Sequence, residues 1–162
     1  MSFYYVSVSL HIFAALFWLG GMFFLAAVGA PVLRKVEPPE LRASLFRSLG
    51  KAFRTSGWIA IGVLVITGFA NLHFKGLLAL DVIGSPAFWA TPIGTALAWK
   101  LGAVAGMVSI SGVHDFALGP RASRLPPGTP AGTRARRQAA LLARLNAILG
   151  IVVVLAAIRL AR

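Results

Sequence analysis

Three histidines and a lysine, all in apolar stretches, are the side chains here best equipped for chemistry. His11 falls within a run from Phe3 to Val28 that carries no charged residue. His73 and Lys100 fall in two later apolar stretches, and His114 is followed directly by Asp115. An ionisable side chain inside a bilayer is costly and needs a partner, so each is a functional candidate by position alone. Depth relates three of them. A helix rises about 1.5 Å per residue, which puts His11 and Lys100 roughly 10 Å, and His73 roughly 8 Å, below the outer ends of their spans. Periodicity gives their stripes: Lys100, Val104, Met107, Ser111 and His114; His11, Ala15, Trp18 and Met22; Gly62, Ile66, Phe69 and His73. Each set steps by four and three residues and so shares one helical stripe.

Two imidazoles in one layer of a helix bundle suit axial ligation of a haem b, with His11 and His73 as the metal ligands. Lys100, Lys75 and Arg159, toward the same end, are then candidates to pair with the propionates or with a substrate anion. The same histidines also suit copper. Soft Cu(I) favours Cys and Met, however, and the chain has no Cys and three Met, one of them Met1; Met22 and Met107 are stepping points at most. A third possibility has no cofactor, the histidines pinning helix packing by hydrogen bonds in a membrane scaffold. His114 and Asp115, with Arg121 and Arg124 just beyond, read as an interfacial cap and ion pair. No Ser/His/Asp arrangement, phosphate-cradling glycine loop or zinc spacing appears, and only four carboxylates are available, which leaves hydrolase or transferase chemistry without support.

The elements that must position these residues are four membrane spans, since a span takes roughly 20 apolar residues. They run over about residues 3–33, 57–78, 93–118 and 139–160, the whole forming one domain of 162 residues. Gly119-Pro120 is expected to stop the third, and Arg121 to Arg137, rich in Pro, Gly and Arg, reads as an irregular connection. Between the first two spans, Leu41, Leu45, Phe46, Leu49 and Phe53 recur at helical spacing among Arg and Lys. That pattern fits a short amphipathic helix on an anionic leaflet, and equally a helical extension of the second span. The fold class expected is all-α, a membrane four-helix bundle. No basic residue precedes the first run, which is also too long for a signal-peptide core, so no cleavable leader is expected.

Composition agrees. The hydrophobic fraction is 58% and mean hydropathy +0.82, beyond an ordinary soluble domain. Sixteen Lys and Arg face four Asp and Glu. They cluster between spans rather than in a separate basic motif, so the excess reflects the positive-inside rule and not nucleic-acid binding. The first and third connections should be cytoplasmic, with both termini and the second connection facing outward across the inner membrane.

Short motifs add a resemblance. Leu10-His11 with Trp18-Leu19-Gly20-Gly21 and Pro31-Val32-Leu33-Arg34, Trp99-Lys100-Leu101, and His114-Asp115-Phe116-Ala117-Leu118-Gly119-Pro120-Arg121 resemble the copper-resistance D (CopD) membrane family. They are also similar to HemJ-type protoporphyrinogen oxidases. The resemblance implies that His11 is a haem b ligand and Lys100 a functional residue, or, by the CopD name, copper import or tolerance. The chain lacks the Tyr and the Pro-Arg pair that the HemJ type carries after the first-helix glycines. The expectation is therefore a haem b-binding membrane protein in electron transfer or oxidoreductase chemistry with an unidentified redox partner and a possible homo-oligomeric state. The alternatives are a copper-binding or copper-transport protein and a cofactor-free scaffold.

Overall fold

Long apolar helices account for almost all of the chain. The computed structural model describes residues 2–125 and 129–160, and among them every regular element is helical. Four helices are long and apolar enough to cross a membrane: α1 (Phe3–Leu33), α2 (Pro39–Phe74), α5 (Pro92–Arg124) and α6 (Pro130–Leu160). Two short helices, α3 (Leu80–Ile83) and α4 (Pro86–Ala90), fill the connection between α2 and α5. Successive long helices run antiparallel, α1 packing on α2 and α5 on α6. The starts of α1 and α5 and the ends of α2 and α6 therefore share one end of the bundle, here the terminal end. The other is the basic end, where Arg34, Lys35, Arg121 and Arg124 lie.

The core is thin. Trp18, Ala60, Ile61 and Met107, from α1, α2 and α5, form its buried cluster, with Leu19, Met22, Leu64 and Leu149 packed around it. Large apolar side chains cover the outside instead: Phe3 is 84% exposed, Ile66 71% and Trp99 67%. A soluble monomer does not carry a continuous apolar surface of this kind, and a bilayer accommodates it.

Helix boundaries differ from the sequence expectation in three places. The separate amphipathic helix is absent; its residues are the first turns of α2, a single 36-residue helix. Nothing between Leu41 and Phe74 breaks the backbone hydrogen-bonding pattern, and Pro39 sits in the first turn, where its missing N–H is harmless. α5 also does not stop at Gly119-Pro120. It passes through a π-helical stretch at Val113–Leu118 and resumes to Arg124. α1 does the same at Leu25–Gly29, just ahead of Pro31. In each case proline removes an N–H and its ring crowds the carbonyl four residues back, Ala27 or Phe116. Both carbonyls lie in the wider π turn, which makes room for the ring and lets the helix continue. Finally, most of the expected irregular segment 121–137 is helix. Pro130 opens α6, and Thr129 Oγ1 accepts from the Gly132 N–H at 3.1 Å. Leu125 and Thr129 are non-helical, as expected, and residues 126–128 lie outside the described residues.

The terminal end is held by local caps. Gly76, at φ +69°, closes α2; its N–H reaches the His73 carbonyl at 2.9 Å and the Leu77 N–H reaches Leu72 at 2.9 Å. This left-handed closure is the reason for glycine there. α5 starts from Thr91, whose hydroxyl accepts from the Gly94 N–H at 3.0 Å.

Candidate functional site

His11 is the centre of the polar layer at the terminal end, and α2 supplies its partner. Its Nδ1 lies 2.8 Å from Thr67 Oγ1. The Thr67 hydroxyl donates its own hydrogen to the Val63 carbonyl at 2.6 Å. What remains toward His11 is a lone pair, so Nδ1 carries the proton and Nε2 keeps a free lone pair. That is the tautomer a metal-binding imidazole needs, with the non-ligating nitrogen donating to a fixed acceptor. The ring lies over Gly68, where an added Cβ would make an ordinary contact at 3.5 Å from His11 Cε1. One turn before His11, Ser7 is buried and donates to the Thr67 carbonyl at 3.4 Å. His11, Ser7 and Thr67 thus lock α1 to α2 and orient the imidazole.

Lys100 joins this layer from α5. It is partly buried, within electrostatic reach of both His11 and Lys75, and has no ion-pair partner among the described residues. The layer therefore sets one oriented imidazole beside one ammonium group, Lys100, with the exposed Lys75 within electrostatic reach of Lys100. Such a site attracts an anion and opposes a resident cation.

His73 is not brought to His11. Thr67, the residue that meets His11, precedes His73 by six positions, roughly 9 Å along the helix and about a third of a turn away in direction. His73 is exposed beside Phe74, with ring centroids 6.0 Å apart, and the other members of its stripe, Gly62, Ile66 and Phe69, are exposed as well. The stripes of α1 and α5 face inward: Trp18, Met107 and Ser111 are buried and His11 and Lys100 partly so. Arg159 is exposed in the last turn of α6.

The basic end holds a second polar group. His114 Nδ1 lies 2.8 Å from Asp115 Oδ1, and Trp58 Nε1 donates to Asp115 Oδ2 at 3.1 Å. Arg54 donates to the Asp115 carbonyl at 3.2 Å and lies 5.9 Å from the Phe116 ring centroid. These contacts tie α2 to the π stretch of α5. Among the described residues, no three His, Asp or Glu side chains gather as a metal cluster.

Sequence reasoning overlooked Ser7 and Thr67. A signal existed for both. Ser7 precedes His11 by four residues on the same stripe, and Thr67 is the one side chain able to hydrogen-bond between Ile59 and Ala70.

Compared with known families, the chain matches the family described as copper resistance protein D over residues 47–160. The match takes in most of α2 and all of α5, and ends with α6; His11 precedes it. An uncharacterized protein of Aquifex aeolicus (strain VF5) is 38% identical over 65 residues, 40% of this chain and 44% of that protein. The alignment thus spans less than half of the relative's length. No solved structure matches the chain with significance.

Proposed function

We propose, because the chain belongs to the copper resistance protein D family, that it is a copper-handling protein of the inner membrane. The family match across residues 47–160, which reaches three of the four spans, carries this reading. His11 is the proposed ligand at the terminal end, since a neutral imidazole with a free Nε2 suits copper. Lys100 opposes a cation beside it, so copper is bound there weakly and passed on rather than stored. The distribution of Arg and Lys favours a cytoplasmic basic end and outward-facing termini.

A second reading rests on a specific observation, the partly buried Lys100 without an ion-pair partner among the described residues. A haem b propionate would supply its counter-charge, and His11 would ligate the iron on one face. The HemJ-type resemblance points the same way, toward electron transfer or oxidoreductase chemistry. His73 stands apart from that site.

One experiment separates the two. Protein purified in detergent is supplied with Cu(I) under reducing conditions, analysed for metal, and examined by absorption before and after dithionite. The copper reading expects a colourless protein that retains copper, loses most of it in His11→Ala, and retains several-fold more in Lys100→Leu, where the opposing charge is gone and no new ligand is added. The haem reading expects a Soret band with reduced α and β bands, abolished in His11→Ala and weakened in Lys100→Leu. Neither copper nor haem leaves the cofactor-free scaffold.

A further inference from the structure

α1 is longer and more apolar than a bilayer requires. Phe3–Leu33 runs for 31 residues without one Asp, Glu, Lys or Arg. At about 1.5 Å per residue that is roughly 46 Å, against a hydrocarbon core of about 30 Å. Roughly the last ten residues of α1 therefore outrun the core, and Phe24, Val28 and Val32 among them are exposed. On α2, Phe53 lies against Gly21 of α1. The α2 residues level with this stretch are thus the ones before Phe53, where Arg42, Arg47 and Lys51 lie.

A shallow groove between the two helices follows the same stretch. Leu25, Ala30 and Leu33 line it from α1, and Phe46, Leu49 and Gly50 from α2. Its volume is about 120 Å³. That admits a few methylene groups but not a helix, which is about 10 Å across. Gly50 keeps the groove open, since an added Cβ there would meet nothing within 4 Å. The end of the groove nearest the connection is basic. Arg42 Nη1 donates to the Arg34 carbonyl at 3.3 Å, which brings its guanidinium to the end of α1, where Arg34 and Lys35 are exposed. Glu37 pairs with Arg42 at 3.2 Å, while Arg34 and Lys35 have no ion-pair partner among the described residues. Three cations and one carboxylate therefore gather where the apolar lining stops.

We propose that this groove holds one anionic phospholipid, with part of an acyl chain against the apolar lining and the phosphate on Arg34, Lys35 and Arg42. The site has the polarity of the lipid, apolar toward the bilayer centre and cationic at the basic end. An acyl chain covers apolar surface that outruns the hydrocarbon core, and the net positive charge prefers an anionic headgroup to a zwitterionic one. Copper or haem in the polar layer at the terminal end leaves this site unchanged.

The test uses the full chain in nanodiscs of phosphatidylcholine containing a minor fraction of phosphatidylglycerol, released into native mass spectrometry. Wild-type protein is expected to retain a single phosphatidylglycerol under conditions that strip phosphatidylcholine. Gly50→Leu fills the groove from an open, exposed position and should lose the retained lipid. Arg34→Gln/Lys35→Gln leaves the groove open and should lower the preference for phosphatidylglycerol by roughly tenfold. Thermal midpoints in phosphatidylcholine alone check that both variants fold. Equal retention of the two lipids by the wild type, or undiminished phosphatidylglycerol in Gly50→Leu, overturns the groove site and leaves an ordinary basic surface.

Discussion

Thr67 decides what His11 can do. Its hydroxyl is committed to the Val63 carbonyl, so toward His11 Nδ1 it offers a lone pair. Thr67→Val keeps the side-chain shape and removes the acceptor. Losing an orienting partner of this type typically costs about 10- to 100-fold in metal affinity, and losing the hydrogen bond costs stability of about 1 kcal/mol. We expect both, read by metal titration and by thermal unfolding in detergent; unchanged affinity would remove Thr67 from the site. The same scale explains the separation of His11 and His73. A four-and-three spacing shows that residues share a stripe, but it carries no information on which way the stripe turns. The stripe holding His73 turns outward, because Gly57, Ala60, Ile61 and Thr67 on α2 pack inward instead.

At the scale of the element, glycines and prolines set how helices begin and bend. Gly94, in the first turn of α5, lies against the Phe88 carbonyl so closely that any Cβ would overlap it. The obstacle is backbone, which cannot rotate aside, so Gly94→Ala is expected to destabilise by about 1–3 kcal/mol. Gly102, in the same helix, has nothing within 4 Å of an added Cβ. Gly102→Ala should be neutral, or stabilising by up to about 1 kcal/mol through helix propensity. Thermal midpoints in one detergent compare the pair, and equal shifts would contradict the close approach. The two π turns belong at this scale as well. Pro120 looks like a helix end in the sequence, because proline's local cost is visible there while the wider turn that absorbs it is not. The continuous α2 has the opposite origin: polar and apolar halves of one helix look like two elements when hydropathy alone divides them.

At the scale of the whole molecule, the bundle presents apolar side chains outward and basic residues at one end, and the proposed orientation follows from that asymmetry. The absence of Cys makes it simple to test. Asp81→Cys lies in α3, in the connection at the terminal end, and Ser123→Cys near the end of α5 at the basic end; both positions are exposed. In intact cells or right-side-out vesicles, a membrane-impermeant maleimide should label the first, and reach the second only after permeabilisation. The reverse pattern would invert the topology.

Four spans and an all-helical fold were legible in the sequence, because hydropathy over roughly 20 residues is a local property and a bilayer leaves helices few alternatives. The polar layer of His11 and Lys100 was legible for the same reason, since depth along a helix is a matter of counting. Which residue met His11 and which stripe faced lipid were decided by the tertiary structure. Those depend on the rotation of each helix against its neighbours. That rotation follows from small contacts spread over several helices, such as the His11 ring over Gly68 and the Phe53 ring against Gly21.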